Sequence, residues 1–327
     1  MNAIETYDLT RHYRRTVALA GLNLAVEQGA IYGFIGPNGA GKTTTLRMLA
    51  GLLEPTSGQI QLLGRTLDHH GRAAQQLVGY MPDFFGVYDD LRVWEYLDFW
   101  ARCHDLPAAK RRRTVDDLLD LVDLTPKRDA FVQSLSRGMQ QRLGLAHTLV
   151  HDPPILLLDE PASGLDPRGR LELLELLRTL REMGKTIVLS SHILSELAEV
   201  CTVLGIIRSG TLVASGTLDE VRRTLGSTNR LRIRVQHDAP LALTIIRAFG
   251  GIEHVEIEPT TDSAGEPVPL LPEQPATLLV DWNGDDDRAT ALLAELVRGG
   301  VPIRSYADDG GDLEDLFLQL TAREEHA

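Results

Sequence analysis

Cysteine is nearly absent: Cys103 and Cys201 are the only two in 327 residues. They make no disulfide framework and have no metal-binding spacing. Long apolar runs are missing too. The longest, such as ILLL at 155–158, fall far short of the roughly 20 residues a membrane-spanning helix needs. The opening stretch MNAIETYDLTRHYRR carries no apolar core of the kind a secretory signal requires. These shortages predict a cytosolic protein.

Aromatic residues are few, at 5%, and unevenly spread. Seven of them, Phe84, Phe85, Tyr88, Trp94, Tyr96, Phe99 and Trp100, crowd into residues 84–100. Positive charge is also unevenly supplied. The net charge is −13, and residues 227–327 account for most of it, with 8 Lys and Arg against 19 Asp and Glu. An acidic tail of this kind argues against nucleic acid as a partner, because phosphate backbones require clustered cations. Solubility is the simplest use of such a charge. The KRRR run at 110–113 reads as a solvated helix face.

What is present suggests one large domain and a smaller one, since the chain is long for a single core. Ala20–Val26, with alternating Leu22, Leu24 and Val26, predicts a strand. GAIYGFIG at 29–36 predicts a buried strand running into a glycine turn. TTTLRMLAGLL then predicts a helix with Leu46, Leu49 and Leu53 on one face. Residues 84 to about 150 read as mostly helical. Beyond Ile155, ILLLD, LELLELLRTLREM and KTIVLSS alternate strand with helix, the pattern of a parallel sheet with covering helices. VLGIIRSGTLVASG predicts a hairpin turning at Ser209-Gly210. Composition shifts near Gly226-Ser227. The remainder reads βαββαβ, a ferredoxin-like order, with five prolines between Pro259 and Pro275 marking an irregular loop and LEDLFLQLT a last helix.

Three motifs carry chemistry. GPNGAGKT, Gly36 to Thr43, has the G-x-x-x-x-G-K-[ST] spacing of a phosphate-binding loop between strand and helix. Glycines let successive N–H groups curl around a phosphate, and the helix start adds partial positive charge. Lys42 would reach the β- and γ-phosphates, and the Thr43 hydroxyl would ligate Mg²⁺. In the second motif, ILLLDEP, a buried strand delivers Asp159 and Glu160 to its C-terminal edge, where α/β sheets bind ligands. Asp159 suits a role on the metal and Glu160 that of general base for an attacking water. The third is LSRGMQQRL at 135–143, where Ser136 and Gly138 offer a hydroxyl and free amides at a helix start. Ser136 also reads as an ordinary N-cap.

LSRGMQQR, placed shortly before the ILLLDEP strand, resembles the signature sequence of ABC-family ATPases. The resemblance implies a P-loop ABC cassette over residues 1–226, with a mixed sheet core, an N-terminal antiparallel β subdomain and a helical subdomain at about 84–150. Residues 227–327 are expected to form a small α+β ferredoxin-like domain. The implied nucleotide set is Gly36, Pro37, Asn38, Gly39, Ala40, Gly41, Lys42, Thr43 and Thr44, with Tyr13 stacking on adenine. By the same resemblance Asp166, in SGLDP, shapes the partner subunit's site, and His192 contacts the γ-phosphate and catalytic water. Asp83 stands where the family usually has Gln. It is shorter and adds negative charge beside Asp159 and Glu160, but it remains a ligand type suited to a hard cation. The implied metal ligands are therefore Thr43, Asp83 and Asp159. Trp94 and Trp100 read as helical core, and Phe84, Phe85 and Tyr88 as a docking surface for a membrane partner.

In the family the signature serine completes the opposite subunit's ATP site. One glycine loop and one signature per chain therefore imply a head-to-tail homodimer enclosing two ATPs. LEDLFLQLTARE and GTLDEV resemble the type-2 exporter ATPases of drug, antibiotic and lipid efflux. That implies a separate membrane permease, with this chain on its cytoplasmic face. The alternatives are an importer ATPase and a soluble ABC ATPase unrelated to transport. Sugar importers carry an all-β tail, and the soluble proteins carry paired cassettes, coiled coils or zinc cysteines.

Overall fold

The computed structural model describes residues 1–14, 16–67, 73–83, 86, 90–224, 229–258, 274–282 and 286–308. The chain divides into two compact units, Met1–Val221 and Arg222–Ala327. The first holds two sheets and a group of helices. Its antiparallel sheet is built on β1 (Asn2–Tyr13), which pairs with β2 (Thr16–Leu22), β3 (Ala25–Glu27) and β5 (Ser57–Leu62), with the two-residue β6 (Arg65–Thr66) at the edge.

The expected strand over Ala20–Val26 is therefore two strands. Leu22, Leu24 and Val26 are all buried as the alternation requires, but the ladder breaks at Asn23 and Leu24. There the Thr6 hydroxyl donates to the Leu22 carbonyl and accepts the Leu24 amide. Asn23 accepts the Asp8 amide at 2.9 Å. Side-chain hydrogen bonds take over part of the backbone pairing that period-2 reasoning assumes, while the Thr6 amide still donates to the Leu24 carbonyl at 2.9 Å.

The central sheet has the order β11-β10-β4-β9-β8-β7. β4 (Ile31–Ile35), β7 (Val78–Met81), β8 (Ile155–Asp159), β9 (Thr186–Ser191) and β10 (Val203–Arg208) run parallel, and β11 (Thr211–Gly216) closes antiparallel on β10. β4, β8 and β9 are buried at every position, as strands covered on both faces should be. The β10–β11 hairpin turns at Ser209 (φ +47) and Gly210 (φ +79), both left-handed as a two-residue turn of this kind needs.

α1 (Lys42–Leu49) follows β4 and stops four residues short of Leu53. Gly51 at φ +70 ends it, donating to the Met48 carbonyl while Leu52 donates to Arg47, a Schellman stop. Leu46 and Leu49 are buried, and Leu53 still packs on the core from outside the helix. α2 (Ala73–Leu77) precedes β7.

α3 (Val93–Cys103), α4 (Ala108–Leu121) and α5 (Arg137–Leu149) form the helical part. The fully buried aromatic of α3 is Tyr96, not the expected Trp94 and Trp100, which are half-buried. Trp94 lies under the Arg128 guanidinium, and Trp100 stacks on His147 at 4.1 Å. Arg111 pairs with Asp98 of α3 at 2.8 Å, so the basic run is a solvated face that also ties α4 to α3. Phe84, Phe85 and Tyr88 lie outside the described residues, as do Gly226-Ser227, the proline-rich stretch up to residue 273 and the LEDLFLQLT segment.

α6 (Pro167–Glu182) packs on β9, followed by α7 (Leu194–Ala198) and α8 (Leu218–Thr224). In the second unit, β12 (Asn229–Val235), α9 (Ala239–Ala248), β13 (Ile252–Ile257), β14 (Ala276–Trp282), α10 (Asp286–Arg298) and β15 (Ile303–Asp308) follow in the expected order. The sheet runs β13-β14-β12-β15 with antiparallel neighbours throughout, the split βαβ arrangement of a ferredoxin-like domain. Leu231, Ile233, Leu278, Val280, Ile246 and Leu292 fill its core.

Candidate functional site

The glycine loop leaves β4 at Ile35 and enters α1 at Lys42. A methyl at Gly36 would sit 2.5 Å from the Ile207 carbonyl, and one at Gly41 (φ +110) 2.7 Å from the Ala18 carbonyl. Only glycine lets the loop fold this closely against its neighbours. α1 has no side-chain cap and no acidic residue in its first turn. Its leading amides are thus open to an anion, with the helix dipole behind them.

These groups wall a polar cavity of about 200 Å³ lined by Ala18, Pro37, Asn38, Gly39, Gly41, Lys42, Thr43, Thr44, Asp83 and Glu160. Residues that are distant in sequence meet there because β7, β8 and β4 end on the same edge of the sheet. The Lys42 ammonium is buried. It donates to the Gly36 carbonyl at 2.5 Å and the Pro37 carbonyl at 3.3 Å, and stands 3.5 Å from Glu160 Oε1. Burial lowers its pKa, and the carboxylates of Glu160 and Asp159 oppose that shift.

Glu160 is the first residue beyond β8 and has φ +48, a strained conformation for a residue with a side chain. His192 Nδ1 lies 2.9 Å from its Oε2. Asp159 is buried and accepts the Ser190 hydroxyl at 2.7 Å. The same hydroxyl accepts the Glu160 amide at 3.0 Å. Asp83 sits just past β7. Partial withdrawal from water, then the negative charges of Asp159 and Glu160, raise its carboxyl above the usual range, with Arg137 and His192 opposing.

Thr43, Asp159 and Asp83 offer oxygen donors only, the set a hard cation takes. Among the described residues no group of three or more His, Cys, Asp or Glu could hold a metal by itself. A Mg²⁺ held here would therefore take its remaining ligands from a bound phosphate, as this ion commonly does.

The signature residues lie elsewhere. Ser136 is the exposed N-cap of α5, accepting the Met139 amide at 3.4 Å, and neither it nor Gly138 lines the cavity. The neighbouring Arg137 guanidinium covers Gly164, whose φ of +69 and lack of a side chain admit it. Asp166 caps α6 through the Gly169 amide at 3.0 Å. Tyr13 is exposed under the Arg11 guanidinium and does not line the cavity. Ser190 was not singled out from sequence. Its signal, two residues before His192, is ambiguous between two adjacent serines.

A P-loop on a parallel sheet, paired acids at a strand end and a signature helix with its own cap define a class of nucleotide-hydrolysing cassette. The family model described as ABC transporter matches residues 19–163. A Nod factor export ATP-binding protein I of Ralstonia nicotianae is 35% identical over 97% of this chain and 92% of its own length. The corresponding protein of Paraburkholderia xenovorans is 36% identical over 98% of each chain. A solved ATP-binding subunit of an ABC transporter is 32% identical, with a TM-score of 0.62 over 68% of this chain and 93% of that one. A bacterial ABC transporter cassette solved as a dimer is 25% identical, with a TM-score of 0.60 over 66% and 98%. The chain belongs to the ABC transporter ATP-binding proteins, and it is an ATPase.

Proposed function

We propose that this chain powers export as a head-to-tail homodimer, peripheral to the cytoplasmic face of a separate membrane permease. The convergence of Lys42, Thr43, Asp83 and Glu160 on one polar cavity beside uncapped helix amides carries the reading. Whole-length similarity to proteins named for Nod factor export supports export over import. So does the ferredoxin-like second unit, which differs from the all-β tail of sugar importers.

ATP phosphates enter the curl of Gly36–Thr44, and the exposed Tyr13 ring would stack on adenine. Lys42 exchanges its own loop carbonyls for the β- and γ-phosphates. That exchange releases Glu160 Oε1 while His192 retains Oε2, leaving one carboxylate oxygen to take a proton from the attacking water. Mg²⁺, held by Thr43, Asp159 and Asp83, would neutralise phosphate charge when bound. Ser136, Gly138 and Asp166 serve the partner's nucleotide. Among the described residues, a methyl at Gly138 would meet only Leu165, at 3.6 Å, which is compatible with the approach of a second copy.

The test is turnover by purified protein with ATP and Mg²⁺. Glu160→Gln is expected to retain ATP binding and to lower turnover by about 100-fold or more. Equal turnover in wild type and variant would remove Glu160 from the chemistry. Affinity isolation from membranes is expected to recover an integral protein, and its absence would count against the transport role.

A further inference from the structure

Ser190 faces Asp159 across the parallel β8–β9 ladder, where the two are register partners. It is fully buried. A hydroxyl has one proton, and here it goes to Asp159 Oδ1 at 2.7 Å, leaving the oxygen to accept the Glu160 amide at 3.0 Å. That amide lies one residue beyond the last β8–β9 register pair. Glu160 has turned to φ +48, and without Ser190 its N–H loses the partner that compensates its partial burial.

We propose that Ser190 is a positioning residue for ATP hydrolysis, fixing the Asp159 carboxylate and the Glu160 main chain through one hydroxyl. The inference rests on the reading of this cavity as the ATP site. Glu160 is held at two points from one strand end, its main chain by Ser190 and its carboxylate by His192. The groups that grip phosphate, Lys42 and the loop amides, belong to a different element. Loss of the Ser190 hydroxyl should therefore disturb catalysis and metal use more than nucleotide capture.

Threonine keeps a hydroxyl at this position, which belongs to the wall of a cavity of about 170 Å³ between β9 and α6. Wild type, Ser190→Ala and Ser190→Thr are compared for turnover, for the Mg²⁺ concentration giving half-maximal rate, and for binding of a fluorescent ATP analogue with and without Mg²⁺. Ser190→Ala is expected to lower kcat about tenfold or more and to raise the Mg²⁺ requirement several-fold. Mg²⁺-free analogue binding should stay unchanged, and Ser190→Thr should return kcat to within about threefold of wild type.

Equal kcat in Ser190→Ala and wild type overturns the proposal. So does a loss of rate matched by the same loss of Mg²⁺-free binding, or a threonine variant that restores melting temperature without restoring rate. If Ser190→Ala does not fold, Ser190→Cys, a weak donor of similar shape, takes its place with the same outcomes. A wild type that binds ATP without turnover refutes the hydrolytic reading alone. The Mg²⁺ dependence of analogue binding then still tests Ser190, and equal dependence in variant and wild type overturns its role.

Discussion

Both oxygens of Glu160 are engaged, one beside Lys42 at 3.5 Å and one with His192 at 2.9 Å. Its reactivity is therefore governed by whatever draws Lys42 away, and a phosphate anion is the natural competitor for a buried ammonium. Asp83 adds a third acidic group close to Asp159 and Glu160; partial burial first, and then the repulsion of those two carboxylates, keep its carboxyl above the ordinary range. A bound cation would relieve that repulsion, so Asp83 should matter most when metal is limiting. Asp83→Ala is expected to raise the Mg²⁺ concentration for half-maximal turnover several-fold, with Mg²⁺-free nucleotide binding unchanged. An unchanged Mg²⁺ titration would remove Asp83 from the metal's surroundings. Lys42, Thr43, Asp159 and Glu160 were legible in sequence because each motif is contiguous and its spacing reflects one local turn. Ser190 was not, because TIVLSS reads only as a buried strand, and the register against β8 alone decides which serine meets Asp159.

α1, α3, α4 and α6 stop by one device. Gly51, Asp105, Asp123 and Gly184 all have positive φ, and in each case the following residue donates back to the carbonyl five positions before it. Glycine and aspartate are the residues that tolerate this turn. That explains why α1 ended at its glycine signal although its apolar spacing continued to Leu53. The end of α3 also meets the end of α5 through histidines. His104 stacks on His151 at 4.0 Å, while His147 lies against Trp100 and edge-on to Tyr96. Burial first, then the mutual proximity of the three imidazoles, pushes His147 down to about 4. His151 falls to about 4 through burial, His104 and Lys185, with the Val78 carbonyl and Asp152 opposing. Both pKa values lie below the unfolded value of 6.5, so the folded protein favours the neutral rings. Their contribution to stability is complete above pH 6.5 and is lost as pH falls toward about 4. His147→Phe, which keeps the aromatic stack, should flatten the fall in melting temperature between those pH values. An unchanged slope would place the acid sensitivity elsewhere.

At the scale of the molecule, the residues assigned to the chain's own nucleotide and those assigned to a partner's are separate in sequence and in space. The cavity gathers Lys42, Thr43, Asp83 and Glu160, while Ser136 and Gly138 stand outside it on an exposed helix start. The first unit follows from patterns the chain states openly, and the second from the order of its six elements, since strand-helix alternation largely fixes which neighbours can pair. The proposed assembly is not legible in that way, because it would depend on a surface completed by another copy. Mixing two inactive variants separates the possibilities. Chains carrying Lys42→Ala and chains carrying Ser136→Arg should each be inactive alone under either arrangement. In a head-to-tail dimer, a mixed pair combines the intact Lys42 of one chain with the intact Ser136 of the other, restoring one site of two. Random pairing of equal amounts then gives roughly a quarter of wild-type turnover if the sites act independently. If each chain instead completed its own site, every site in the mixture would carry one lesion and no activity would return. Recovery that grows with total protein concentration, against none in either variant alone, is the outcome expected of sites shared between two chains.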